Sequence, residues 1–326
     1  MRHDPMYRDH IVKPRATDNP AFMALATTVI FALALFYGVG DGSLARLMGP
    51  IVLDLQAPLL RNMAVAGTLA ITLVLNLFIL GRFALRAQVI TVWFELLLLF
   101  LLFFDTFDLS YSFIASKVGF MITQGVFTTV YVSTISIAIA FVLALMGATA
   151  RLSSNGFAIA IASFYTSFFR GVPLLIQIYL IYLGIPQLGY VVGAVPAGIL
   201  ALSLCYGAYM TEIFRAGISS IPRGQWEASR AIGLTPFQAM TRVILPQSMR
   251  LIIPPTGNQF ISMLKDSSLV SVIGVWELMF LARTQGRAEF RHLEMLITAA
   301  VLYWVLSILL ETVQSRLEKR FDRAHR

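Results

Sequence analysis

The chain has 326 residues, of which 58% are hydrophobic and only 13% are charged, and its mean hydropathy is +0.77. This composition excludes an ordinary soluble domain and predicts an all-α integral membrane protein embedded in a lipid bilayer. The net charge of +8 would also suit a protein that binds nucleic acid. In a membrane protein, however, Lys and Arg mainly set the orientation of the spans, so we expect no nucleic acid partner.

Apolar stretches of bilayer-spanning length follow one another along the chain, and we expect about eight transmembrane helices. A polar patch at 105–116 separates three additional helices from a five-helix core. The predicted spans are 21–39, 63–80 and 87–104, followed by 122–150, 157–182, 191–208, 251–275 and 296–310. Arg170, Gly171 and Pro173 should interrupt the fifth span. Pro254, Pro255 and Gly257 should break the seventh.

The distribution of Lys and Arg predicts the orientation, because these residues accumulate in cytoplasmic loops. Most of them fall in inner segments if both termini are cytoplasmic. Arg283, Arg287 and Arg291 run against this rule, with Glu289 and Glu294 nearby as partial compensation. The predicted parts are a tail over 1–20, additional helices over 21–116, a core over 117–314 with a cytoplasmic loop at 218–248, and a basic tail over 315–326.

Residues 222–246 form a polar island that we call the elbow. Pro222 suits the first turn of a helix, and Gly233 suits the left-handed residue that ends one. Thr235 can cap a second helix, with Gln238 in the capping-box position, and this helix should stop before Pro246. The elbow is therefore predicted to be two short helices joined by a sharp turn.

Three charged residues, Arg223, Glu227 and Arg230, share one face of the first elbow helix. An amphipathic elbow of this kind can dock in a groove of a soluble partner. Alternatively, it is a solvated loop whose charges only pair along the helix, at about 0.2–0.5 kcal/mol per pair. Composition alone leaves both interpretations open.

The sequence argues against two kinds of catalysis. It has no GxxxxGK[ST] loop, so the chain is not expected to hydrolyse ATP by itself. The four histidines have no metal-binding spacing, and the lone Cys205 excludes most metal–thiolate sites.

The segment EASRAIGLTPFQAMTRVILP resembles the EAA signature of binding-protein-dependent ABC transporter permeases. The signature positions are occupied by Glu227, Ala228, Gly233, Ile244 and Pro246, with Ser229 where a second small residue is usual. RGVPLLIQIYLIYLGIP, GAYMTEIFRAGISSIPRGQ and NQFISMLKDSSLVSVIG are similar to permeases for polar amino acids. The resemblance covers about 124–321 and leaves the first 120 or so residues outside.

The resemblance implies the core of a type I ABC importer in a bacterial inner membrane, for a polar amino acid. It also implies partners: ATP-binding cassette subunits, an extracytoplasmic binding protein and a second permease subunit, identical or related. ATP and Mg²⁺ would be held by the partner subunits, and no cofactor by this chain. The elbow residues implied in coupling to the ATPase are Arg223, Glu227, Ala228, Ser229, Gly233, Ile244 and Pro246.

Polar residues at membrane depth are candidates for the translocation path, because such residues usually face a cavity or a partner. They are Arg170, Gln177, Glu212, Asn258, Gln259, Lys265 and Asp266. Arg170 could attract a carboxylate, but a place at the inner membrane interface is favoured. Gln177, Glu212, Asn258 and Gln259 could instead hydrogen-bond between helices. Lys265 and Asp266 should mark the outer end of a broken helix.

A gradient-driven secondary transporter is the alternative function. Such a protein needs coupling carboxylates within its helix bundle. Glu212 is the only plausible one in the predicted core.

Overall fold

The computed structural model describes residues 19–38, 57–105 and 109–323, and every regular element in these ranges is helical. The predicted all-α class is therefore confirmed. The chain forms two compact units that divide between Leu109 and Ser110. Most of the predicted amino-terminal tail and the last three residues of the basic carboxy-terminal tail lie outside the described residues.

The described part of the first unit contains three apolar helices. They are α1 (Pro20–Phe36), α2 (Pro58–Leu80) and α3 (Leu85–Asp105). Asn19 caps α1, since its side-chain oxygen accepts the N–H of Ala21 at 2.9 Å. α1 packs on α2, where Asn62 Nδ2 donates to the Leu35 carbonyl at 3.2 Å.

The described part of the second unit contains nine α-helices, besides shorter 3-10 and π-helical segments. α4 (Tyr111–Leu152) is continuous and includes a π-helical segment, Met121–Val126. α5 (Gly156–Gly171) and α6 (Leu174–Tyr179) are followed by α7 (Ala194–Ser219) and α8 (Arg223–Ala231). α9 (Pro236–Ala239) continues through a π segment, Met240–Ile244, into α10 (Leu245–Asp266). A 3-10 helix (Ser267–Ile273) precedes α11 (Leu278–Ala288) and α12 (His292–Arg323).

The centre of the second unit is the pair α4 and α7, which pack together more extensively than any other two described helices. Glycines allow their backbones to approach closely. A Cβ on Gly147 would lie 2.5 Å from Thr211 Oγ1, and one on Gly207 would lie 3.0 Å from Leu143 Cβ. Interfaces of small residues are typical of helices packed within a membrane.

Four described helices are long and apolar enough to cross a membrane, or up to six spans if each bent helix pair counts as one. The multi-pass character predicted from composition is therefore confirmed. The count of eight stays a prediction. The interruption predicted for the fifth span is confirmed, since α5 ends at Gly171 and the following segment is inclined to it by 108°.

The predicted break of the seventh span is wrong, because α10 runs through Pro254 and Pro255 as one helix. Packing against α12 holds it together. Gln314 Nε2 donates to the Pro254 carbonyl at 3.1 Å, and a Cβ on Gly257 would lie 2.5 Å from Gln314 Cδ. A neighbouring helix thus supports a backbone that two prolines weaken.

The prediction that the second elbow helix stops before Pro246 is also wrong. The helix passes from Pro236 through the π segment into α10 without a gap. Pro246 lies in the first turn of α10, directly after the π segment. The wider π turn alters the backbone hydrogen bonding at this point, which lets a proline follow without ending the helix.

Candidate functional site

The turn of the elbow follows a Schellman motif at the end of α8. The N–H of Gly233 donates to the Arg230 carbonyl at 2.9 Å, and the N–H of Leu234 donates to the Ser229 carbonyl at 3.1 Å. Gly233 has φ +80°, as the sequence predicted, and a Cβ there would meet no atom within 4 Å. Backbone conformation, and not crowding, therefore requires glycine at this position.

The capping box predicted at the start of the second elbow helix is confirmed. The N–H of Gln238 donates to Thr235 Oγ1 at 3.3 Å, and the N–H of Thr235 donates to Gln238 Oε1 at 3.0 Å. Pro222 differs from the prediction, because it precedes α8 as the cap residue and does not occupy its first turn. Backbone hydrogen bonds thus fix the start of the elbow turn, and side-chain caps fix its end.

Buried residues anchor the elbow to the helix bundle. Ser229, on α8, is 1% exposed, and Ile244 is fully buried. Gln247 Nε2 donates to Gln225 Oε1 at 3.1 Å, which joins α8 to α10. Trp226 packs against the main hydrophobic core. These contacts hold the elbow against α10 and the hydrophobic core, so we expect the elbow and α10 to move together.

The outer face of the elbow is exposed and mixed in character. Arg223, Glu227, Ala228, Gly233 and Pro246 are all exposed. Within the described ranges, Glu227 forms no ion pair, so the pairing that the solvated-loop interpretation invoked is not made. Its carboxylate is therefore open to a partner.

Sequence reasoning missed two apolar side chains on this surface. Ile232 is 74% exposed and Phe237 is 77% exposed. The sequence did contain a signal for this surface. Two large apolar residues flank a tight polar turn, and the elbow has no other residues that could bury them. Exposed aromatic and aliphatic groups amid charges are typical of a surface that another protein covers.

A cleft of about 370 Å³ in the same unit brings together three of the predicted path residues. Arg170, Gln259 and Asp266 line it, together with Tyr206 and Tyr209. The Tyr206 hydroxyl donates to Asp266 Oδ2 at 2.7 Å. The Arg170 guanidinium carbon lies 5.6 Å from the centroid of the Tyr209 ring. The cleft therefore presents a held carboxylate and a cation within one small volume.

The break between α5 and α6 places Arg170 at the cleft. α5 begins near the elbow end of the bundle and carries Arg170 about 21 Å along its axis. Gln177, 2% exposed, stabilises the break, because its Nε2 donates to the carbonyls of Phe169 at 2.9 Å and Val172 at 2.8 Å. Gln177 thus holds the backbone of the break and is not one of the cleft's lining residues.

Glu212 lies away from the cleft, in an ion cluster near the elbow end of α7. Its carboxylate is 3.4 Å from Arg151 and 2.9 Å from Arg215. Arg151 also donates to Ser163 Oγ at 2.5 Å, so the cluster joins α4, α5 and α7. Pairing of these charges explains why α7 continues to Ser219, beyond the end predicted from hydropathy at 208.

The other two predicted path residues lie on α10. Asn258 is exposed and its Oδ1 accepts from Gln314 Nε2 at 3.1 Å, which links α10 to α12. Lys265 is exposed beside Asp266 but is not among the lining residues of the cleft. α10 ends at Asp266, as predicted, but it is not a broken helix, and the placement of this end on the outer side of the membrane stays a prediction.

Comparison with known proteins gives a family and several relatives. The family described as "Binding-protein-dependent transport system inner membrane component" matches residues 140–323. The L-cystine transport system permease protein TcyB of Bacillus subtilis is 40% identical over 204 residues, which are 62% of this chain and 87% of the relative. The arginine transport system permease protein ArtQ of the same organism is 36% identical over 214 residues, which are 65% of this chain and 97% of the relative.

Solved structures agree with this. The crystal structure of an amino acid ABC transporter with histidines has a TM-score of 0.61 at 35% identity, over 65% of this chain and 99% of that chain. An inward-facing structure of the MetNI methionine ABC transporter has a TM-score of 0.55 at 22% identity, and the match covers 62% of this chain and 96% of that chain. The second likeness shows a shared fold only.

Proposed function

Because this chain belongs to the family of binding-protein-dependent transport system inner membrane components, we propose that it is the permease subunit of an ATP-driven importer for a polar amino acid. The relatives named for cystine and arginine support the substrate class. The observation that carries the proposal is the elbow. It has a rigid turn and an exposed outer face, and it is continuous with the helix that lines the cleft.

The elbow fits a groove on a cytoplasmic ATP-binding subunit, with Ile232 and Phe237 as apolar anchors and Glu227 as a charged contact. ATP and Mg²⁺ stay on that partner. A displacement of the elbow passes along the continuous helix from Pro236 to Asp266 and so reaches the cleft. The partner can thereby favour one of two states of the path, open to one side of the membrane or to the other.

The cleft suits the backbone of an amino acid. The Arg170 guanidinium can receive the carboxylate, and the Asp266 carboxylate can receive the ammonium group. Gln259 and the two tyrosines offer further hydrogen bonds to a polar side chain. The site is thus expected to bind a zwitterion more tightly than either an amine or a carboxylic acid alone.

The remaining proposed features concern the orientation of the chain in the membrane and its partner proteins. We place the elbow and both termini in the cytoplasm, in a bacterial inner membrane, with a second permease subunit and an extracytoplasmic binding protein. The gradient-driven alternative is not supported, because the Glu212 carboxylate already lies between two arginines. A carboxylate held in this way is poorly suited to binding and releasing a coupling ion.

The direct test of this function is uptake by liposomes that contain the permease with its ATPase subunit, with the binding protein outside. We expect uptake to require ATP in the lumen and to persist when ionophores collapse the ion gradients. Uptake that stops with the ionophores although ATP is present would establish the gradient-driven alternative instead.

A further inference from the structure

A second pocket, of about 320 Å³, lies between the 3-10 helix and the junction of α11 with α12. Its lining includes Arg283 and Arg287, one turn apart on α11, and His292 at the start of α12. Ser271 and Thr284 add hydroxyl groups. The pocket therefore offers several hydrogen-bond donors and a concentration of positive charge.

The positive charge of this pocket is compensated only in part by the described carboxylates around it. Nearby carboxylates are already paired, Glu289 with Lys117 at 3.2 Å and Glu294 with Arg291 at 2.9 Å. In the part of the chain that the structure describes, the two arginines of the pocket form no ion pair. Two exposed guanidiniums that face one cavity repel each other and favour an anionic occupant.

A third carboxylate near the pocket is also engaged. Glu277 is fully buried and accepts the N–H groups of Met279 at 2.8 Å and Phe280 at 2.7 Å. The Tyr303 hydroxyl donates to it as well, at 2.5 Å. Glu277 therefore caps α11 from inside and is not a lining residue of the pocket, although its charge acts on Arg283 from nearby.

The pocket lies at the end of the unit opposite to the elbow. α10 leaves the elbow at Leu245 and runs about 33 Å to Asp266. α12 contacts the middle of α10 through Gln314, and His292 lies about 33 Å further along α12, away from the elbow. The short 3-10 helix that contains the pocket residue Ser271 begins directly after Asp266, which lines the cleft. An occupant of the pocket would thus lie close to the mouth of the cleft.

The frame of the pocket is rigid. The N–H of Arg291 donates to the Gly286 carbonyl at 2.8 Å, and a Cβ on Gly286 would lie 3.0 Å from the His292 Cα. This tight turn fixes the end of α11 against the start of α12. The basic side chains are therefore attached to a preorganised backbone, which lowers the entropy cost of binding.

We propose that this pocket receives carboxylate side chains of the extracytoplasmic binding protein and so anchors that protein over the cleft. The inference rests on the proposed function, which assigns the end opposite to the elbow to the outside. It also explains why arginines occupy a segment where the positive-inside rule disfavours them. An acidic surface on the partner complements the pocket, and its attraction speeds association at low salt. The nearness of the cleft favours a delivering protein over a lipid headgroup.

The test uses the permease–ATPase complex in liposomes. It measures the concentration of binding protein that gives half-maximal stimulation of ATP hydrolysis, at low and at raised salt. Arg283→Gln combined with Arg287→Gln is expected to raise that concentration about 10-fold and to flatten its salt dependence. Hydrolysis without binding protein should stay unchanged. The matched control, Lys117→Gln with Arg291→Gln, removes the same charge at the same end from paired residues and should change the concentration less than about 3-fold.

The outcomes separate this inference from the proposed function. If the unaltered complex is not stimulated by binding protein, the proposed function fails. If stimulation is normal and the pocket variant matches the control, the docking site is refuted. An effect that depends on anionic phospholipid in the liposomes, with the half-maximal concentration unchanged, would identify a lipid site and also refute it. Partial recovery with Arg283→Lys and Arg287→Lys would support the charge-based mechanism.

Discussion

Replacing Gly233 by aspartate is expected to abolish amino acid uptake while the protein stays inserted and the partner continues to hydrolyse ATP. Gly233 has φ +80°, and a residue with a Cβ pays about 1–2 kcal/mol to adopt a left-handed conformation. The turn relaxes toward another angle, which misplaces the exposed face between α8 and α9. The measurement is the number of ATP molecules hydrolysed per amino acid transported, which should rise more than about 10-fold.

Gly224→Asp is the matched control for that variant. Gly224 lies on α8, and a Cβ there also meets no atom within 4 Å, but its φ is not in the left-handed region. The control adds the same charge to the same elbow without disturbing the turn, so its ratio should stay near that of the unaltered protein. Equal losses in both variants would assign the effect to charge, and undiminished uptake by the Gly233 variant would refute the coupling role.

Asp266→Asn should reduce uptake about 30-fold without reducing ATP hydrolysis stimulated by the binding protein. The asparagine can still accept the Tyr206 hydroxyl, so the cleft keeps its shape. What is lost is the negative charge opposite the substrate ammonium group, and a 30-fold loss corresponds to about 2 kcal/mol of binding free energy. Competition by an analogue that lacks the amino group is informative, because the variant should no longer distinguish it from the amino acid.

Lys265→Gln provides the comparison for this variant. Lys265 is adjacent in sequence and exposed, yet it does not line the cleft. Uptake should therefore stay within about 2-fold of normal, as for an exposed surface charge. The assignment of the cleft would be contradicted if Lys265→Gln lost transport and Asp266→Asn did not.

Local rules predicted the elbow turn well, because its structure depends on residues close in sequence. Gly233 ends a helix by its own φ, and Thr235 and Gln238 restart one through reciprocal hydrogen bonds. The same local reasoning failed for α10. The prolines predict a break, but Gln314, 60 residues further along the chain, packs against the helix, which stays continuous through them.

The sequence identified polar residues at membrane depth but not their groupings. Arg170 and Asp266 are far apart in the chain and share one cleft only because α5, α7 and α10 converge. Gln177 and Glu212 carry the same sequence signal, yet one supports a backbone break and the other an ion cluster. Hydropathy registers that a polar group is present and says nothing about its partner.

The most direct test of the central claim, that the elbow docks on an ATP-binding subunit, is site-specific photo-crosslinking. A photoreactive phenylalanine analogue replaces Phe237, 77% exposed on the elbow, or Phe290, 92% exposed near the opposite end. We predict that the probe at Phe237 crosslinks to the ATPase subunit in the assembled complex and that the probe at Phe290 does not. Crosslinking of the ATPase to Phe290, with none at Phe237, would contradict the account.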